Sequence, residues 1–145
     1  MKTIIVYATK SGASRKCAEL LASKIKDCSF FDLSKQVPEI ERFDMVILGS
    51  GVRMGKIYKP MKGFIEKYMK ALLSKKTAFF LCNSYPHTFK KVIERNIPQE
   101  LIDSAVCIES FGGIPPFTSP KNQDWLLFEH VNRLIQAVAL EQQGR

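Results

Sequence analysis

The sequence predicts an α/β fold in which five short β-rich runs alternate with helical segments along one domain, residues 1–145. Three observations carry this reading. The apolar runs 45–48 and 77–82 have the length and continuity of strands buried on both faces. Between such runs, apolar residues recur at i, i+4 and i+8, the spacing of a helix laid on a sheet. Strands that alternate with helices close into a parallel sheet covered on both faces, giving a three-layer domain. The length allows a real core, and 46% apolar with 25% charged residues is ordinary for a globular chain.

Residues 3–8 (TIIVYA) read as strand one. A helix follows from Ser14 to Lys26, with Cys17, Leu21 and Ile25 on one face. Residues 29–33 (SFFDL) form a weaker edge strand, and Ser34 to Phe43 holds at most a short helix around Pro38. Met45 to Leu48 is strand three. Pro60 stands at the early helical position that tolerates proline, and Met61, Phe64, Ile65, Tyr68, Met69, Leu72 and Leu73 line the inner face of the helix it opens. That methionine and aromatic stripe is core packing. Thr77 to Cys82 is strand four, residues 87–95 are helical, and Gln99 to Ser104 adds a short turn of helix after Pro98. Ala105 to Ile108 is strand five. The glycine- and proline-rich FGGIPP follows, and the last helix starts at Asp124 with Phe128, Val131, Leu134, Ile135 and Val138 inward.

No run of about 18 apolar residues occurs, and the chain opens directly on a strand without the sections of a secretory leader, so a cytoplasmic location is expected. Cys17, Cys28, Cys82 and Cys107 form no C-x-x-C pair and read as free, mostly buried small hydrophobes on separate elements. With only His87 and His130 besides, no metal site is expected. The net charge of +8 is uneven: Arg53 to Arg95 holds eleven Lys or Arg against Glu66 and Glu94. A solvated helix face, an anionic ligand, an acidic partner or peripheral membrane contact would each account for it. No nucleic-acid motif accompanies the charge, so no nucleic-acid partner is expected.

Ligands of such sheets bind beyond the carboxyl ends of the strands, where the strand order reverses. After strand one comes Thr9-Lys10-Ser11-Gly12-Ala13-Ser14, where three hydroxyls and a glycine meet a helix N-terminus. Unpaired amides and the helix dipole favour an anion there, while Ser11 or Ser14 would equally serve as an N-cap. The loop lacks the Gly-Lys-Ser/Thr ending of a nucleotide triphosphatase, no cysteine has an arginine six positions on, and no acidic pair of a receiver domain follows strand one. A terminal phosphate held by amides and hydroxyls remains.

TKSGAS matches the flavodoxin phosphate loop, [T/S]-x-[T/S]-G-x-[T/S], and the chain resembles flavodoxins in element order throughout. The segment GSGVRMGKIYKPMKGFIEKY is similar to the flavodoxin-domain branch that includes menaquinone-dependent protoporphyrinogen oxidase. The resemblance implies a five-stranded sheet in the order 2-1-3-4-5 and FMN at its switch point. It implies that two further loops wrap the flavin ring. The first carries Ser50, Gly51, Val52, Arg53, Met54, Gly55 and Lys56 and runs on to Tyr58; the second carries Asn83, Ser84, Tyr85 and His87. Val52, Met54 and Tyr85 would offer apolar faces, and glycines 51 and 55 would allow close backbone approach. Tyr85 either stacks or is a loop aromatic before Pro86, and His87 either nears the ring or caps the next helix.

The resemblance implies electron transfer through bound flavin. The chain is then a small oxidoreductase acting on a quinone or porphyrinogen-like compound, or an electron carrier that docks on donor and acceptor proteins. After strand five the oxidase carries a longer basic and aromatic insertion, where this chain has FGGIPPFTSPKNQDW. Carrier flavodoxins are acidic, whereas Arg53 and Lys56 make this loop basic; nearby cations favour reduced, anionic flavin and would make it easier to reduce, while side chains that point into water would have only a small effect.

Overall fold

A computed structural model describes residues 1–83, 85–114 and 124–143. Six strands are present among them: β1 (Thr3–Ala8), β2 (Cys28–Asp32), β3 (Met45–Arg53), β4 (Lys56–Ile57), β5 (Lys76–Cys82) and β6 (Cys107–Ser110). The helices are α1 (Ala13–Lys24), α2 (Lys59–Lys67), α3 (Met69–Leu73), α4 (Phe89–Asn96), α5 (Gln99–Ser104) and α6 (Phe128–Gln143), with a 3-10 turn at Pro86–Thr88. The sheet runs β2-β1-β3-β5-β6, and all four of these pairings are parallel. Counting parallel strands alone, this is the expected 2-1-3-4-5 order. The sixth strand, β4, pairs antiparallel with the end of β3.

Alternation along the central strands divides the core into two layers. Ile4, Val6, Val46, Leu48, Phe79 and Leu81 meet Met61, Phe64 and Ile65 of α2, Leu72 of α3, Val92 and Ile93 of α4, and Leu101 of α5. Ile5, Ile47, Ala78 and Phe80 meet Cys17 and Leu21 of α1 and Val131, Leu134 and Val138 of α6. Each large side chain so buried contributes about 1.5–3 kcal/mol, which is why β1, β3 and β5 read as unbroken apolar runs. At the edge, β2 leaves Phe30 exposed.

Several boundaries differ from expectation for local reasons. The helix opened by Pro60 kinks at Tyr68 (φ −107°, ψ 20°), although Tyr68 N still donates to Phe64 O and Leu72 N to Tyr68 O. The kink turns Leu73 outward, so it is exposed rather than part of the inner stripe. The strand expected at 105–108 lies at 107–110, because the Ala105 amide is committed to Leu101 O at the end of α5. The last helix begins at Phe128, not Asp124, since Leu127 N donates to Phe111 O; Phe128 is half exposed, not inward. Residues 34–43 contain turns and no helix. Among the described residues, no helix is long and apolar enough to cross a membrane.

Candidate functional site

The chain passes from β1 to β2 on one side and then to β3 on the other, so the carboxyl ends of β1 and β3 bound a crevice. Its first wall is the β1–α1 loop. Gly12 is the N-cap of α1 at φ 89°, a left-handed conformation natural to glycine, and nothing lies within 4 Å of the place a Cβ would take. Thr9 Oγ1 accepts from Gly12 N at 2.9 Å, and Ser11 Oγ lies 3.4 Å from Ala13 N. No side chain caps the helix, so neither Ser11 nor Ser14 takes the N-cap role. The Ser14 hydroxyl is buried, faces no protein partner, and stands in the first turn of α1. An unsatisfied buried hydroxyl costs about 1–3 kcal/mol, so a ligand acceptor at this point would remove a penalty. Lys10 Nζ reaches across, 5.0 Å above the Tyr58 ring.

The expected glycine-rich loop from Ser50 to Tyr58 is instead mostly strand. Gly51, Val52 and Arg53 extend β3, and a hairpin turns at Met54 and Gly55 to pair Val52 with Ile57 and Arg53 with Lys56. Both turn residues are left-handed (φ 55° and 74°), the geometry of a two-residue hairpin turn that follows strand twist. Met54 is 88% exposed, and Arg53 and Lys56 are exposed beside it. The Ser50 hydroxyl is buried and donates to Gly51 O at 2.8 Å while accepting from Tyr58 N at 3.2 Å. It ties the hairpin base together.

Glycines 49 and 51 admit aromatic rings rather than freeing a loop. A Cβ at Gly49 would lie 1.9 Å from Phe80 Cζ, and one at Gly51 would lie 2.6 Å from Tyr58 Cε2. Tyr58 therefore covers the end of β3, where the ring of a bound flavin was expected to meet Gly51. Burial, and secondarily the nearby Cys82, raise its phenol above the ordinary range, so it remains a neutral donor at physiological pH.

Sequence reasoning passed over Tyr58, reading it only as the end of a loop. It also passed over Asn96, whose Nδ2 donates to Gly55 O (2.8 Å) and Val92 O (2.7 Å) and whose Oδ1 accepts from Ile57 N (3.2 Å). Asn96 pins the hairpin to α4. Its position at the end of an amphipathic helix gave no signal of this.

The second loop is organised by Asn83. Its Nδ2 donates to Tyr85 O and Thr88 Oγ1, and its Oδ1 accepts from Tyr85 N. The carboxamide is thus engaged within its own loop. Tyr85 is 66% exposed and meets His87, also exposed, edge to face with ring centroids 6.3 Å apart. Ser84 lies outside the described residues. The four cysteines are free and on separate elements, as expected, but Cys17 of α1 and Cys82 of β5 are buried with their sulfurs 3.7 Å apart.

A parallel sheet with a hydroxyl-rich loop leading from its first strand into a helix N-terminus, and helices on both faces, defines a doubly wound α/β domain. The chain belongs to the flavodoxin domain family, whose model matches residues 4–114. It is similar to protoporphyrinogen IX dehydrogenase [quinone] of Escherichia coli (strain K12), at 31% identity over 88 residues, covering 57% of this chain and 49% of that protein. The chain thus spans about half the length of the curated relatives it matches. Among solved structures, the flavodoxin, WrbA-like protein from Agrobacterium tumefaciens superposes with a TM-score of 0.66 at 14% identity, covering 99% of both chains. A Lactobacillus acidophilus flavoprotein in complex with FMN superposes with a TM-score of 0.61 at 19% identity, covering 75% of this chain and 92% of that one. These two likenesses establish the fold.

Proposed function

We propose that this chain binds FMN in the crevice at the carboxyl ends of β1, β3 and β5 and transfers electrons through it. The observation that carries the reading is the buried, unpartnered Ser14 hydroxyl in the first turn of α1, two residues after a glycine whose Cβ position meets open space. Together with the helix amides of Ala13 and Ser14 and the hydroxyls of Thr9 and Ser11, it suits a phosphate dianion. The flavin supplies the redox chemistry when bound. The protein's part is to hold the phosphate at the α1 end, to cover the strand ends with Tyr58, and to line the rim with Arg53 and Lys56. Tyr85 and His87, both exposed, flank the other side, where a partner could approach.

The similarity to a quinone-dependent dehydrogenase supports a quinone as acceptor, and the basic segment 53–95 supports reaction at an anionic membrane surface on the cytoplasmic side. A carrier role toward an acidic partner protein is the second reading, favoured by the exposure of Met54 and Tyr85 beside the crevice. The test begins with the visible spectrum of the purified chain, where bound oxidised flavin absorbs near about 450 nm. Titration with FMN and with riboflavin follows; a preference for FMN locates the recognition on the phosphate. Reduction of a soluble quinone under anaerobic conditions separates the enzyme from the carrier. Failure to bind FMN at micromolar concentration refutes the proposal.

A further inference from the structure

We propose that Cys17 and Cys82 form a redox-active dithiol under the cofactor site, and that closing it to a disulfide weakens FMN binding. The coupling half of this proposal rests on the FMN reading above; the dithiol half does not.

The two cysteines are 65 residues apart in sequence and on different elements, α1 and β5, yet they share one core layer and their sulfurs are in contact at 3.7 Å. Cys17 sits on α1 three residues beyond Ser14, within the helix whose first turn forms the phosphate end. Cys82 is the last residue of β5, directly before Asn83, which holds the second loop through Tyr85 and Thr88. A link between the sulfurs therefore joins the phosphate end to the ring end through the floor of the crevice. Across the sheet Cys82 pairs with Gly51, and the face of Gly51 is covered by the Tyr58 ring. Tyr58 roofs the dithiol, and Lys10 of the phosphate loop in turn sits over Tyr58.

This arrangement keeps the pair quiet at rest. Cys17 is fully buried and Cys82 is 5% exposed. The neighbouring Cys82 sulfur, followed by burial, pushes the Cys17 thiol far up, so little reactive Cys17 thiolate exists in this arrangement. Access comes when Tyr58 leaves Gly51.

A small disulfide such as oxidised glutathione is the oxidant. The Cys82 thiolate attacks one of its sulfurs, forms a mixed disulfide and releases one glutathione thiol. Cys17, after losing its proton, attacks the Cys82 sulfur, closes the protein disulfide and releases the second glutathione thiol. Two protein thiols are oxidised and one glutathione disulfide is reduced to two thiols.

A disulfide holds its sulfurs about 2.0 Å apart, so closure draws the first turns of α1 toward β5 from a contact of 3.7 Å. The amides of Ala13 and Ser14 move with that turn. By linkage, a disulfide that weakens FMN binding tenfold makes the bound protein tenfold harder to oxidise, an upward shift of about 30 mV in the reduction potential of the pair.

The experiment equilibrates the full chain in glutathione redox buffers at several FMN concentrations. Quenching and alkylation then allow intact mass and peptide mapping, and FMN affinity is measured in parallel by flavin fluorescence. The expected result is a loss of two hydrogens with a Cys17–Cys82 cross-linked peptide, protection by FMN, and a tenfold or greater fall in affinity that a reductant reverses. Cys17→Ala and Cys82→Ala each remove the dependence of FMN affinity on the redox buffer. Wild-type mapping needs no variant to fold. Absence of a Cys17–Cys82 bridge, or a bridge to Cys28 or Cys107 instead, overturns the dithiol. A bridge with FMN affinity unchanged within twofold overturns the coupling. Absence of FMN binding under reducing conditions overturns the cofactor reading and the coupling, while the peptide map still decides the dithiol.

Discussion

Replacing Ser14 by alanine separates a ligand-binding hydroxyl from a packing one, because the two roles predict effects of opposite sign. In the protein without ligand, the Ser14 hydroxyl is buried and has no partner. Removing it relieves a desolvation penalty of about 1–3 kcal/mol, offset in part by the small void left behind. Unliganded stability should therefore hold or rise, and the thermal midpoint should stay level or increase by a few degrees. In the proposed FMN complex the same hydroxyl would donate to a charged phosphate oxygen, a bond worth about 1.5–3 kcal/mol. Its loss should weaken FMN binding by about 10- to 150-fold at 1.4 kcal/mol per decade. Riboflavin, which has no phosphate, should bind wild type and variant alike. The assay is flavin fluorescence titration of both ligands, alongside thermal unfolding without ligand. Ser14→Ala with lowered unliganded stability and FMN affinity unchanged within twofold would refute the phosphate assignment.

Gly49→Ala should cost about 1–3 kcal/mol by overpacking, since its Cβ would fall 1.9 Å from Phe80 Cζ in the ring stack with Phe111. Adding Phe80→Leu should recover part of that loss in urea unfolding; no recovery would show that the ring is not the obstacle. Lys56→Glu replaces a like-charge cross-strand partner of Arg53 with an opposite one, so stability should rise by about 0.2–1 kcal/mol. The same change should lower the flavin midpoint potential by tens of millivolts at low ionic strength, an effect that fades with added salt. Burial, with Asp27 adding to it, pushes the Cys28 thiol up to about 12 from an ordinary value of 9.0. Between those values the unfolded chain releases a proton that the folded chain keeps, so stability present below pH 9.0 falls as pH rises toward about 12. Cys28→Ser should flatten that alkaline slope in unfolding experiments run across the window.

The strands were legible where two buried faces demand unbroken apolar runs, as in Met45 to Leu48 and Thr77 to Cys82. The TKSGAS match, on which the phosphate proposal stands, was legible because its residues are contiguous and its chemistry is local. The hairpin was not. Two-residue turns of this kind are signalled by Asn-Gly or Asp-Gly, and here the first left-handed place is taken by Met54. Glycines 51 and 55 suggested a loop that lets the backbone approach a ring closely, whereas Gly49 and Gly51 are small to admit Phe80 and Tyr58 from elsewhere in the fold. Only the folded neighbours reveal that. The same holds for Asn96, whose partners Gly55 and Ile57 lie about forty residues away, and for the Cys17–Cys82 contact.

The hairpin concentrates local costs that a purely structural turn would avoid. Met54 takes a left-handed conformation that glycine or asparagine adopts more readily, and its side chain is left 88% exposed. Arg53 and Lys56 face one another as like charges across the two strands. The turn is nonetheless fixed, by Asn96 at its tip and by Ser50 at its base. A flexible loop would let its cations swing into water, where screening erases their influence on a nearby ring. A pinned hairpin keeps them at the rim of the crevice. The departures from local preference and the tethers that hold them converge on four residues, Arg53 to Lys56. That convergence is expected of a site shaped by what it binds rather than by fold stability. The basic excess of segment 53–95 follows the same geometry. The lysines of α2 and α3 and the cations of α4 belong to helices on one face of the sheet, the face to which Asn96 ties the hairpin. An anionic partner approaching that face would meet Arg53 and Lys56 at the end of β3, so under the proposed function recognition and redox tuning would share one set of charges.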